Sequence, residues 1–594
     1  MTVTENKPIY RFGLIALLVL GAYGCILSHG FVWDDYDIIV NNPMLASLGN
    51  IPRFFLTEDK VNAATGFYRP VTYISFALDR AIWGGNPLGF NLTNLLLQLL
   101  VALSFFAVVR EMFRQERLAL FAAALFALHP LAVETVNFHA GGRNTLLSAF
   151  FALMSLYFYL KQRRGWSVAF FALAIFSKEF ALLLPMVFLF YDLRIRRIKA
   201  DFGRYLPYLV ALVCYLTLRS FAVAKANALG GFRFSSQLWL TPYLVVRYLI
   251  NMIFPFRLKV MYDEQTSMTV CVICLLLVLL MAGAILLFKK REQDELTLSG
   301  FWFLLFLIPV INIVPLVSNT LIADRYAYFS LMGFSLALAW LLCRFSAQIG
   351  SACAAVICLA FIPVDVIQSG VWKDEVTLFS RMAKDAPQMS IGPHNLAMYY
   401  YQRGDMAHTQ ELLLEAARRG DMRPQSLVGA ASIFVEAGQP AQAEPLLLKA
   451  LQMDPGNPET YLMLQTVAQQ RGNGAQAQSY LEQAQRAIPS LGEEMAKEAA
   501  AFNLEGEKYI AEGKYVNAGN MLRRALKLKP DSVPVLVNLG KVRLEQGDLE
   551  GAARHLNQAL ALDGSDAAAR QLLTKLYERQ GKAQGAGQSK KAGR

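Results

Sequence analysis

Two adjacent carboxylates, Asp34 and Asp35, follow the first apolar stretch of the chain in the run Phe31-Val32-Trp33-Asp34-Asp35-Tyr36-Asp37. A charge at the centre of a bilayer costs about 2.5 to 3.5 kcal/mol even on lenient scales, so acids this close to a span tend to line a site. A carboxylate there could take the proton of an attacking hydroxyl, which is general-base work. Two neighbouring acids titrate as a coupled pair, and an Asp-Asp pair serves equally well as a helix cap or a solvated turn. Arg143, Lys178 and Arg325 are cations able to neutralise a departing anion such as a phosphate. Arg69, His129, Glu134, His139, Glu179 and Asp324 interrupt apolar segments in the same way. For all of these the competing interpretation is interface snorkelling and interhelical salt bridges. The acids could also hold a divalent ion, although no dense set of ligands demands one.

These residues need a membrane scaffold to gather them. Of 594 residues, 55% are hydrophobic and only 17% charged, too apolar for an ordinary soluble protein, and the excess lies before residue 370. The net charge of +12 does not point to nucleic acid, because many basic residues fall in clusters between apolar runs: Lys161 to Arg164, Arg194 to Lys199 and Lys289 to Arg291. Such clusters mark loops retained in the cytoplasm. All seven cysteines lie in apolar segments, which implies neither a disulfide framework nor a zinc site.

About 20 helical residues cross the hydrocarbon, and on that measure spans are expected at 9–28, 88–109, 118–137, 144–160, 166–177, 179–193, 204–222, 268–288, 299–317, 327–344 and 351–369. The first is read as a retained span, with the N-terminus in the cytoplasm. Tyr68 to Trp83 reads as an amphipathic helix lying in the interface. Residues 238–255 are taken as re-entrant, which keeps Lys289 to Arg291 inside and leaves eleven crossings. That parity puts the polar residues named above, and everything after residue 370, on the outer side.

The remainder repeats. Gly404, Gly438, Gly472, Gly513, Gly547 and Gly581 are separated by 34, 34, 41, 34 and 34 residues. Twelve residues after the first five stand Ala416, Ala450, Ala484, Ala525 and Ala559, and prolines follow at Pro455, Pro489 and Pro530. The pattern predicts a helix pair per period, with Gly in the turn, Ala at the close approach and Pro ending the second helix. It is similar to the tetratricopeptide (TPR) family over about 372–586, five full repeats with a leading half-repeat and a trailing helix. A concave face suited to an extended peptide is expected, with Asn395 and Asn538, both nine residues before a turn glycine, as peptide-backbone partners. The expected organisation is therefore all-α: a polytopic helical membrane bundle at 1–370, an α-solenoid at 371–582 and a disordered tail at 583–594.

Asp34-Asp35, Val40-Asn41-Asn42-Pro43, Tyr68-Arg69-Pro70, Asn91-Leu92-Thr93-Asn94, Ala127-Leu128-His129-Pro130 with Glu134, Gly142-Arg143, Ser177-Lys178-Glu179 and Ala323-Asp324-Arg325-Tyr326, followed by a TPR array, form an ordered set. Together they resemble the transmembrane-and-TPR-containing O-mannosyltransferases of the GT-C glycosyltransferase class, in a compact, bacterial-type form. The resemblance implies transfer of a sugar, mannose in the animal members, from a polyprenyl- or dolichyl-phosphate donor to Ser or Thr hydroxyls of an acceptor protein. It places the family's catalytic acidic pair at Asp34 and Asp35, in a cytoplasmic membrane or, in a eukaryote, that of the endoplasmic reticulum. The alternatives are a GT-C transferase acting on lipid or carrying a preassembled oligosaccharide, and a non-enzymatic TPR-bearing membrane scaffold. A transporter is disfavoured because no ionisable residue is read at mid-span.

Overall fold

A computed structural model describes residues 7–56, 67–199, 201–222, 238–263, 266–287, 294–311, 313, 321–487 and 491–592. Among them every regular element is helical. The chain forms two compact units, 1–387 and 388–594.

The first unit is the membrane part. Among the described residues five helices are long and apolar enough to cross: Tyr10–Ser28, Pro87–Phe113, Phe202–Ala222, Asp324–Cys343 and Ala347–Val371. A sixth crossing is formed if Glu116–Ala127 and Pro130–Asn137, bent by 53° at their junction, are counted as one. Eleven continuous spans are not what the described residues contain. The helix expected at 166–177 is Arg164–Ser177, 14 residues, about 21 Å at 1.5 Å per residue and short of a 30 Å core. The stretch at 179–193 is divided among Glu179–Leu183, Leu184–Phe190 and Tyr191–Ile195. Hydropathy averages over such breaks, so apolar content overstates the number of straight crossings. Residues 238–255 form the Leu238–Ile253 segment, a shorter apolar helix closed before Pro255.

The breaks are satisfied internally, as hydrocarbon requires. Asn91, Asn94 and Gln98 share one face of the Pro87–Phe113 helix, and their amides donate to the carbonyls of His29 (2.8 Å), Val136 (2.8 Å) and Ala127 (3.1 Å). The Asn91 to Asn94 motif is thus the stitching of the bent crossing and the first loop. Pro70–Trp83, expected in the interface, buries Thr72, Tyr73, Phe76, Ala77 and Asp79 in the unit while Leu78 and Ile82 stay exposed.

The second unit bears out the repeat pattern. Helix pairs run from Ile391–Gln402 and Met406–Arg419 through Val533–Glu545 and Leu549–Leu562. Gly404, Gly438, Gly472, Gly513 and Gly547 have φ between +71° and +84°, the left-handed conformation glycine adopts without a Cβ penalty. Ala416, Ala450, Ala484, Ala525 and Ala559 are fully buried where the helices meet. The last helix runs Ala567–Ala592, through the segment whose composition reads as a disordered tail; its alanines, glutamines and lysines are good helix formers. The helix expected to lead the array, Glu375–Asp385, falls in the first unit.

Candidate active site

The two acids of the first loop have different environments. Asp35 is completely buried. One of its oxygens accepts from the Ala140 amide (2.7 Å), and the other from the Val32 amide (3.2 Å) and His139 Nδ1 (2.9 Å). Its carboxylate therefore closes the N-terminal end of the His139–Leu160 helix, where an anion is favoured by free amides and the helix dipole. Because the carboxylate accepts, His139 carries a proton on Nδ1; its Nε2 has no partner among the described residues.

Asp34 faces solvent. The protein crowded around it still desolvates its carboxyl and pushes it from an ordinary 3.8 up to about 6; Arg325 pulls against that rise, and Asp35 and Asp37 add to it. The residue before it, Trp33, holds a left-handed φ of +54°, a conformation costly for a bulky side chain unless its surroundings impose it. Here Trp33 stacks on Phe138 (centroids 5.5 Å, 11°), which stacks on Trp372 (5.4 Å, 24°). Arg80 Nη1 donates to the carbonyls of Ile39 (2.8 Å) and Val40 (3.1 Å), fixing the far end of the loop. Asn42 caps the turn at Pro43 by accepting from the Met44 amide (3.0 Å), which accounts for the Asn41-Asn42-Pro43 motif.

Arg325, whose charge Asp34 feels, belongs to a patch of alternating charge. Glu134 pairs with the Arg325 guanidinium and accepts from the Arg325 amide (2.9 Å). Arg325 also lies 5.5 Å from the Phe138 ring centre. Glu179 accepts from Arg69 Nε and Nη2 (3.3 and 3.0 Å). Between these pairs Lys178, 3% exposed, donates to Thr145 Oγ1 (2.6 Å) and sits 4.6 Å over the Phe180 ring. Lys178 feels Arg69 and Arg325 as like charges and Glu179 and Glu134 as opposite ones. No carboxylate among the described residues lies within 4.0 Å of its ammonium, and a lysine has three donors. A Cβ on Gly141 would lie 2.5 Å from the Phe138 ring and 3.2 Å from Arg325 Nε, and one on Gly142 would lie 1.9 Å from the Thr135 carbonyl oxygen. The Gly-Gly pair thus lets this helix end approach the patch.

Other sequence candidates are spent on internal contacts. Arg143, expected beside a phosphate, is completely buried and engages Asn94, Ser75 (2.7 Å), Asp79 (2.7 Å) and the Phe90 carbonyl (2.9 Å). Four of its five donors are spent inside the protein, so it braces helices. His129 Nδ1 accepts from the Leu131 amide (3.2 Å), which puts its proton on Nε2, and that donates to the Met252 carbonyl (2.8 Å). It caps the bent crossing. Asp324 is buried against Tyr262 (2.9 Å) and Asn251 (3.4 Å). Asn395 and Asn538 lie in the second unit, where Asn538 donates to Asn503 and Glu507, both 3.0 Å. Among the described residues no group of three or more His, Cys, Asp or Glu gathers as a metal site.

Two residues lay outside the sequence candidates. Asp79 is the partner of Arg143, and Asp365 is completely buried six residues before the end of the Ala347–Val371 helix. An acid inside an apolar run was the signal for Asp365.

Residues 70–220 match the family described as dolichyl-phosphate-mannose-protein mannosyltransferase. Residues 434–497 and 509–576 match tetratricopeptide repeats. Curated relatives include the protein O-mannosyl-transferase F38B6.6 of Caenorhabditis elegans, 25% identical over 65% of this chain and 58% of its own length. The human protein O-mannosyl-transferase TMTC1 is 32% identical over 24% of this chain and 17% of its own. The mouse TMTC3 protein is 30% identical over 25% and 17%. The chain thus spans little more than half of the nematode relative and about a sixth of each mammalian one. Among solved structures the TPR protein YrrB aligns over 33% of this chain and 97% of its own at 17% identity, with a TM-score of 0.18.

Proposed function

We propose that this chain, an integral membrane relative of the TPR-bearing protein O-mannosyl-transferases, transfers mannose from a polyprenyl-phosphate donor to Ser or Thr hydroxyls of a protein at the outer face of the membrane. In this reading Asp34 takes the proton of the acceptor hydroxyl as its oxygen attacks the anomeric carbon. The bond from that carbon to the phosphate oxygen breaks, and polyprenyl phosphate leaves with the electron pair. Lys178 and Arg325 receive its charge, Thr145 anchors Lys178, and Glu134 fixes Arg325. Electrostatic stabilisation of this kind is worth several kcal/mol in a water-poor site.

One observation carries the assignment: of two adjacent acids, Asp35 is consumed by three internal donors while Asp34 faces solvent near Arg325 with its carboxyl raised to about 6. A base with that affinity is ionised near neutrality and accepts protons more readily than an ordinary Asp. The GT-C classification, an outer-side second unit, and a cytoplasmic or endoplasmic-reticulum location belong to the same proposal.

The test is transfer of labelled mannose from polyprenyl-phosphate mannose to a Ser/Thr-rich peptide by the full chain in vesicles. Transfer is expected, with kcat/KM rising with pH through about 6 and level above it, because the base must be ionised. Absence of donor consumption with every peptide tried overturns the reading. The sign for folding is opposite: the folded state binds this proton more tightly, so the stabilisation is present below the ordinary 3.8 and lost as pH passes about 6.

A further inference from the structure

The second unit holds a feature that mannosyl transfer leaves unused. In stacked helix pairs the first helix of each pair lines the concave face. Glu436 stands two residues before its turn glycine and Glu459 thirteen before its own, an offset of about three helical turns that puts both on one face. Tyr401, three residues before Gly404, joins them: its hydroxyl donates to Glu436 Oε2 (3.1 Å). The groove of the first three repeats is therefore floored by a tyrosine ring and two carboxylates.

What fills that groove is later chain. The Arg523 guanidinium lies 5.3 Å from the centre of the Tyr401 ring, Arg543 Nη2 is 4.0 Å from Glu436 Oε2, and Lys527 Nζ is 4.0 Å from Glu459 Oε1. Arg554 donates to the Glu436 carbonyl. Leu528 joins Tyr461 and Leu462 around Ala484. Arg523, Lys527 and Leu528 belong to the second helix of the fourth repeat, Tyr515–Leu528, which touches the Pro458–Gln470 helix directly. The spacing supplies the cause, because 41 residues separate Gly472 from Gly513 where 34 is the rule. The first helix of the fourth repeat, Leu491–Ala511, accordingly has 21 residues against 12 or 13 in the first three.

We propose that the Tyr401–Glu436–Glu459 groove is a docking site for a polypeptide segment bearing Arg or Lys side chains, and that the fourth and fifth repeats occupy it in cis. A guanidinium over a tyrosine and beside a carboxylate gains both cation–π and charge-assisted contacts. Separations of 4.0 Å at partly exposed side chains are loose enough to exchange. An acidic segment would meet two carboxylates instead.

The test uses the full chain in nanodiscs and two labelled peptides, one alternating Arg and Ala and one alternating Glu and Ala, read by fluorescence anisotropy. Arg543→Gln with Arg554→Gln, which removes cis cations, should tighten binding of the Arg peptide at least tenfold. Glu436→Gln with Glu459→Gln should weaken it at least tenfold. The reversed pair, Glu436→Arg with Arg543→Glu, should return hydrogen-exchange protection of Tyr515–Leu528 to the parent level after the single Arg543→Glu change has lowered it. Arg-peptide binding indifferent to these substitutions, equal binding of the Glu peptide to the opened variant, or protection that none of them alters would each overturn the proposal. Mannosyl transfer is not read in any arm, so the two proposals fail separately.

Discussion

Asp34→Asn is expected to lower mannosyl transfer by about 10²- to 10⁴-fold, the usual worth of a general base, while the protein accumulates and melts as the parent does. The amide keeps the shape and cannot take the hydroxyl proton. Asp35→Asn should act differently, because Asp35 accepts from the Ala140 and Val32 amides and from His139 Nδ1. An Asn oxygen can still cap the helix, but its NH2 group confronts a donor where the second oxygen stood. The cost is about 1 to 3 kcal/mol for the mismatched buried group, read as a lower melting temperature, with a fall in transfer that follows the fraction folded. Initial rates per folded molecule and thermal unfolding of both variants in the same detergent make the comparison. If Asp35→Asn folds normally and is silent while Asp34→Asn retains transfer, the roles are reversed.

The difference between the two acids could not be read from their neighbours in sequence. Both stand at the same depth after the same span, and they separate only because the His139–Ala140 helix end, more than 100 residues away, is packed onto one of them. Arg143 and Asp79 are likewise 64 residues apart, and nothing local marks their pairing. The repeat array was legible because its determinants are local: a left-handed glycine in each turn and a small residue at each close approach leave a periodic trace. The 41-residue period was visible too. Its consequence was not, since the direction in which a longer first helix turns the following repeats depends on packing. The number of crossings was obscured for the opposite reason. A run of apolar residues reads the same whether it is one helix or, as around Leu128 and His129, two helices meeting at 53° with side chains capping the gap.

Arg143 gives the second large effect, on stability. Its side chain is fully buried between the Pro70–Trp83, Pro87–Phe113 and His139–Leu160 helices, and Asp79 is 5% exposed. Arg143→Met leaves that carboxylate without its cation, and breaking a buried pair from one side costs about 3 to 5 kcal/mol. A fall in melting temperature on the order of 10 °C is expected. Adding Asp79→Asn removes the stranded charge and keeps a group that can meet Thr93 Oγ1, which stands 2.7 Å from Asp79 now. The double variant should therefore recover part of the loss, with a coupling of about 0.5 to 3 kcal/mol in the cycle. Arg143→Lys should resemble Arg143→Met more than the parent, since a point ammonium cannot reach Asn94, Ser75, Asp79 and the Phe90 carbonyl at once. Transfer per folded molecule should stay within a few-fold of the parent in the double variant. A well-folded Arg143→Lys protein whose transfer is lost 100-fold or more would instead put Arg143 at the departing phosphate, beside Lys178 and Arg325.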